Sequence, residues 1–301
     1  MSRLAVTGLL ASLHFTVTAM DVNPLWNFAD PAASEAAFRA ALAKSPSRDD
    51  ALTLETQIAR SLGLRARFVE AHALLDGIET RLDGAGAEPK VRYLLERGRV
   101  FRSSKHIDAS RPLFEAAATS AGAAWLADLQ IDALHMLALV AADPPARLLA
   151  NERALAAALA SPDAAARRWE ASIANNLGMD LHEIGRYDEA LAAFRRALAA
   201  RERLGNVERI RVARWMVAWT LRALKRHDEA LADLRALAAE FEAAGNSDGF
   251  VFEEIAENLA ATGRPDDARP YYARAFAVLS ADTSPSRPDA EHLARLERLS
   301  R

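Results

Sequence analysis

Cysteine is absent from the 301 residues, which excludes disulfides, thiolate-bound zinc and a cysteine nucleophile. Glycine and proline are scarce, at 13 and 12 residues, and fall mostly between apolar runs. So few backbone breakers among abundant Ala and Leu predict an almost entirely helical chain. A large charge of one sign is also missing: the net charge is −3, so overall attraction to nucleic acid is not favoured. The sequence has no phosphate loop, dinucleotide fingerprint, nucleophile elbow or HExxH motif. Its seven histidines are dispersed, the closest pair (His106 and His135) being 29 residues apart. A histidine metal site would need long-range convergence. What the sequence does have is apolar mass: 51% hydrophobic residues, enough for a large core.

The N-terminus is read separately. Residues 4–19 form an apolar stretch behind a single basic residue, Arg3, and Val17-Thr18-Ala19 has the small-residue form of a cleavage site. Two readings stand: a secretory signal, or an upstream start with Met20 as the true beginning. The stretch is short for a membrane span, which needs about 20 predominantly apolar residues. No other segment comes close, so no span is expected. The expected location is cytoplasmic, or exported and periplasmic if residues 1–19 are a signal.

The remainder is repetitive. LHEIGRYDEALAAF at 181–194 aligns with LRALKRHDEALADL at a shift of 40 and with LAATGRPDDARPYY at a shift of 78. The skeleton is a Leu, a Gly or Lys four later, an Ala nine later, and a large apolar residue thirteen later. Upstream, FRSSKHIDASRPLF at 101–114 and LGLRARFVEAHALL at 62–75 fit the same frame. A small residue precedes each leading apolar residue by one turn, at Ala59, Gly98, Gly178, Ala218 and Ala256, with intervals of 39, 80, 40 and 38. The double interval requires a degenerate unit, which residues 132–159 supply, with Asp143-Pro144-Pro145 as its turn. Each unit reads as two antiparallel amphipathic helices. The small residue admits close approach, and the large one plugs the gap. No unit buries its apolar face alone, so neighbours must stack.

These units resemble tetratricopeptide (TPR) repeats. Asn176-Leu177-Gly178, Leu181, Gly185, Tyr187, Ala190, Phe194 and Ala197 match that consensus, while the period near 40 exceeds its usual 34. The resemblance implies an all-α, right-handed α-solenoid of about five to six helix hairpins with capping helices. The expected organisation is a signal-like or non-native leader over 1–20, an N-terminal cap and half repeat over 21–50, a TPR-like solenoid over 51–282, and a capping helix over 283–301. Trp26 and Phe28 are expected to fold over the N-terminal end, and Asp30 or Ser34 to cap the first helix.

Asp180, His182 and Glu183 look like chemistry in isolation. Helical geometry puts Asp180 and Glu183 on one face and turns His182 about 100° away, so three convergent ligands are not expected. In the repeat's phase Asn175, Asn176, Met179, His182 and Glu183 lie toward the groove, either as solvated polarity or as partner contacts. Trp215 and Trp219 share a face with Arg222, outside the hairpin stripe, as inter-unit core or as groove anchors; Trp and Arg are favoured at interface hot spots. Residues 195–227 hold ten Lys/Arg against two Glu, and residues 228–267 eleven Asp/Glu against two Arg. These blocks either pair between helices or leave a bipolar groove, with Glu253 and Glu257 on the acidic wall. Arg99 and Arg102 share an upstream groove face. The Lys/Asn pattern that grips terminal carboxylates in chaperone-binding members is not kept, since Glu96 and Arg99 stand where it would require other residues. The resulting expectation is a non-catalytic scaffold holding a protein or peptide in its groove, with no cofactor, metal or catalytic residue. Its alternative is a regulator sensing a ligand or signal peptide. Nucleic acid is not an expected partner, and the oligomeric state is not legible.

Overall fold

A computed structural model describes residues 20–44, 46–283 and 287–301; the leader expected over 1–19 lies outside them. Every regular element among the described residues is helical. The chain divides into two compact units, one ending at Leu113 and the other running from Phe114 to Arg301.

In the first unit a single 3-10 turn, Asn23–Leu25, leads to α1 (Pro31–Leu42), α2 (Arg48–Leu64), α3 (Phe68–Glu79) and α4 (Ala87–Ser103). The Asp30 carboxylate caps α1, accepting from the backbone N–H of Ala32 and Ala33. Ser34 instead bonds back to Asn27 through its hydroxyl. Trp26 stacks on Phe28 at 4.6 Å and meets the edge of buried Phe38 at 5.0 Å. Its indole N–H donates to Gln57 Oε1 at 3.1 Å. Helix α2 packs on α1, α3 and α4, around Phe38, Leu52, Ile58, Leu62, Leu75 and Ile78. Helix α5 (Ile107–Ala123) crosses from one unit into the other.

The second unit continues with α6 (Ala127–Leu139), α7 (Pro144–Ala160), α8 (Ala164–Arg167), α9 (Glu170–Glu183), α10 (Tyr187–Leu204), α11 (Val207–Ala223), α12 (His227–Ala243), α13 (Gly249–Ala261), α14 (Pro265–Ala281) and α15 (Ala290–Leu299). From α9 onward each helix packs against its successor, the order of a stack of antiparallel hairpins. One-turn α8 has no counterpart in the repeat. Asp163 caps it, and it packs on α6 and α7.

The repeat frame has a backbone signature. The turn joining a hairpin's two helices carries a positive φ at Ala66, Lys105, Gly185, Lys225 and Gly263. Those positions are 39, 80, 40 and 38 apart, the intervals of the small residues. At the double interval the α6–α7 connection turns differently: Asp143 accepts from the Ala146 N–H at 2.8 Å, and Pro144 opens the helix with its φ already set.

Packing follows the same frame. Ala59, Gly178, Ala218 and Ala256 are buried, as are the plugs Leu75, Phe114, Phe194, Leu234 and Tyr272. At Gly178 the approach leaves no room for a side chain: an added Cβ would lie 2.7 Å from Cδ1 and Cε1 of Phe194. Gly178→Ala therefore gains helix propensity of about 1 kcal/mol but incurs an overpacking cost of roughly 1–3 kcal/mol, and should be net destabilising. At Gly77, also helical, an added Cβ meets nothing within 4 Å, so Gly77→Ala should be neutral or stabilising by up to about 1 kcal/mol. Urea unfolding of the two variants checks this contrast; equal and opposite-to-expected shifts would refute the close-packing account.

Candidate aromatic groove in the second unit

The first helices of successive hairpins, α9, α11 and α13, carry a row of side-chain contacts that α15 continues. His182 on α9 stacks on Trp219 of α11, with centroids 3.4 Å apart and planes 16° apart. Tyr187 meets the same imidazole edge-on at 4.8 Å. One turn back on α11, Trp215 lies parallel to Trp219 at 5.9 Å and donates its indole N–H to the Phe250 carbonyl at 3.2 Å. The helical spacing of four that puts both tryptophans on one face thus ties α11 to α9 on one side and to α13 on the other. His182 Nε2 is buried without a hydrogen-bond partner. Burial, and then the nearby Arg222 charge, hold its pKa below the ordinary imidazole value.

The next contact is ionic. Arg222 donates through Nε to Glu254 Oε1 at 2.5 Å and through Nη2 to Oε2 at 3.1 Å. Glu254 is 3% exposed and also accepts from the Asn258 side chain. Burial pushes its carboxyl up against the pull of Arg222. A charge in this position needs its partner, because the interior alone would reject it.

Helix α15 changes the acidic wall. Glu253 lies 2.9 Å from His292 Nε2 and accepts from Arg295 Nη1 at 3.1 Å. Glu257 is paired with Arg295 as well. The two carboxylates expected to face a basic wall across an open groove are instead bound by the terminal helix, whose Leu293 and Leu296 are buried. Elsewhere the charge blocks also pair between helices, as Arg214–Glu240 at 2.5 Å and Arg195–Glu229 at 3.9 Å. Of the two readings of the charge blocks, these contacts follow pairing between helices, with Glu253 and Glu257 paired to the terminal helix.

Two cavities lie on either side of Trp215 and Phe250. One, of about 300 Å³, lies among α11, α13 and α15, with Trp219, Arg222, Glu253, Glu254, Glu257, His292 and Arg295 around it. The other, of about 550 Å³, is lined mainly by apolar groups of α11, α12 and the start of α13. Five residues singled out in the sequence, Trp215, Trp219, Arg222, Glu253 and Glu257, meet at the first cavity, and His182 backs onto it through Trp219. Of the others, Asn176 approaches His135 Nδ1 at 3.5 Å, and Met179 is 40% exposed. Asn175 accepts from Arg201 of α10 at 3.1 Å. Glu183 turns away to Arg147 of α7, which also holds Asp180 at 2.5 Å. Sharing a face with Asp180 is what takes Glu183 out of the row. Arg99 and Arg102 belong to the first unit, where Arg99 donates to buried Glu96 at 2.5 Å and Arg102 is half-buried. The partners missed were His292 and Arg295. The repeat period would have found them, since they stand 39 and 38 residues after Glu253 and Glu257.

Hairpins stacked in order, left-handed turns in phase and small-to-large packing define an α-solenoid of TPR-like repeats. The sequence profile of the tetratricopeptide repeat matches residues 169–239, so this stretch of the chain is built of tetratricopeptide repeats. No curated protein sequence matches it. Among solved structures it is similar to the apo form of RapI, with a TM-score of 0.72 at 13% identity, covering 92% of this chain and 79% of that one. It is also similar to a signal-transduction ATPase with numerous domains that has a tetratricopeptide repeat sensor, from Pyrococcus horikoshii. There the TM-score is 0.66 at 12% identity, over 86% of this chain and 40% of that one. At such identities these likenesses speak to fold. No helix among the described residues is long and apolar enough to cross a membrane.

Two predictions follow from these contacts. Arg222→Met strands a buried carboxylate and should cost roughly 3–5 kcal/mol, while Arg222→Met with Glu254→Leu should regain most of that. A double-mutant cycle by urea unfolding measures it, and equal losses in the single and double variants would refute the pairing. For His182 the folded pKa lies below the unfolded one, so the unfolded state binds more protons as pH falls below about 6.5. Stability should drop from there until the folded value is reached and then level off. His72 in the first unit is shifted down too, by burial and Arg97. His182→Gln should therefore reduce, not abolish, the slope of stability against pH just below about 6.5.

Proposed function

We propose that this protein is a binding module that holds a peptide or protein segment along the first-helix face of its second unit. The observation that carries the reading is the parallel Trp215–Trp219 pair beside a cavity of about 300 Å³. Its charged neighbours are already paired with each other. Recognition would thus rest on aromatic contact, with Arg222, His292 and Arg295 offering residual donors at the rim, and Trp and Arg are the side chains that dominate interface energies. The groove residues are proposed as Asn176, Met179, His182, Trp215, Trp219 and Arg222. Asn175, Glu183, Glu253 and Glu257 act by holding helices together, and the role of Arg99 and Arg102 is local to the first unit. Nothing in the row has a nucleophile aligned with a base, which supports a non-catalytic role. A sensing regulator is the second reading. It draws on the archaeal ATPase whose repeats are described as a sensor.

The test is a random-peptide display selection on the whole protein, with affinities of the recovered peptides measured by calorimetry. Trp219→Ala should weaken them at least tenfold, as should Met179→Glu, which alters an exposed groove position and leaves the core intact. Circular dichroism melts establish that both variants fold. Peptides that bind both variants as tightly as the parent would refute the groove assignment.

A further inference from the structure

The larger cavity asks a different question from the groove. It opens at the end of the second unit where α11 and α13 begin and α12 ends. Val212, Met216, Leu237, Phe241 and Val251 line it, with Trp215 as the wall toward the groove. Its volume, about 550 Å³, falls within the roughly 300–1,000 Å³ of small-molecule sites. The wall is mostly apolar, and one strong hydrogen-bonding group on it is unspent. Arg211 lies with its guanidinium carbon 4.5 Å from the Phe241 ring centroid. Its Nε is buried and has no hydrogen-bond partner. Along the same helix Arg214 and Arg222 each hold a carboxylate; among the described residues Arg211 pairs with none.

A buried, unsatisfied guanidinium N–H is costly, and in native proteins such groups call for an acceptor. The two carboxylates near the cavity do not serve. Asp248 caps α13, accepting from Phe250 and Val251 through Oδ1, and makes no ion pair with Arg211. Glu208, three residues from Arg211, is exposed and makes no ion pair with it. The missing partner is therefore an acceptor that arrives with apolar surface attached. A guanidinium presents Nε–H and one Nη–H side by side, which suits a carboxylate bidentately. We propose that this cavity is a binding site for a small apolar carboxylic acid, whose carboxylate meets Arg211 and whose hydrocarbon part lies on Phe241, Leu237 and Val251. The site is separate from the peptide reading of the groove and stands or falls without it.

The experiment is calorimetric titration of the whole protein with decanoate below its micellar concentration, with decanol as the probe that lacks the charge. Saturable one-site binding of decanoate, at least tenfold tighter than decanol, is expected. Arg211→Gln should lower decanoate affinity at least tenfold and leave decanol unchanged. Val212→Trp, which fills the cavity from its half-exposed lip, should abolish binding of both, and melts by circular dichroism establish that each variant is folded. Absence of saturable decanoate binding to the parent protein overturns the proposal. So does equal affinity for decanoate and decanol, or parental affinity in either variant.

Discussion

The close approach of the two helices of a hairpin is the constraint on which the rest of the structure depends. It is clearest at Gly178, which has no room for a Cβ beside Phe194. Once these positions are fixed, a hairpin's two helices have one register relative to each other. The left-handed turn must then fall seven residues later, as it does from Gly178 to Gly185, from Ala218 to Lys225 and from Ala256 to Gly263. The period near 40 is the consequence of one packing contact and one turn repeated. Helix propensity alone would impose no such spacing, because an Ala- and Leu-rich helix is free to lengthen.

What that frame leaves undetermined is how one hairpin recognises the next, and there charge and aromatic stacking take over. The excess of cations over residues 195–227 and of carboxylates over 228–267 is a division between neighbouring helices. Arg195, Arg214 and Arg222 each reach forward to a carboxylate of a later helix. Exposed pairs of this kind contribute at most about 1 kcal/mol each. Arg222–Glu254 differs because the carboxylate is buried. Its worth lies less in net stability than in the large cost of any arrangement that separates the two. Register between α11 and α13 is thereby enforced, with Trp215 and the Phe250 carbonyl as a second tie.

Legibility in the sequence follows this division. Leu181, Gly185 and Phe194 were readable because hairpin packing allows few residue types at those places, and each recurs at the period. Trp215 and Trp219 were readable as a pair on one face but not as core or groove; they stack along the row and still border open space. Helical phase gives the direction of a Cα–Cβ bond and not the partner at the end of a long side chain. That is why helical phase points Asn175 and Glu183 toward the groove while their side chains bond to Arg201 and Arg147. Four-residue α8 has too few residues to show a period. For the terminal helix the sequence shows a polar face and not the side chains that face meets. His292 and Arg295 show that helix occupying the place of a next first helix.

That substitution bears on where the protein keeps free surface. A terminal helix that neutralises Glu253 and Glu257 removes the acidic attraction a preceding unit would otherwise show, and the aromatic faces are left as the unpaired element of the row. On the far side of Trp215 the same logic operates with the sign reversed. Every neighbouring cation of α11 with a buried or half-buried head group has found a carboxylate, and Arg211 rests on an aromatic ring with its Nε unanswered. On α11 the contrast is between Arg214 and Arg222, which hold carboxylates, and Arg211, which does not. The stacking of hairpins that fixes the fold also creates, at the α11–α13 junction, a space that no described element fills.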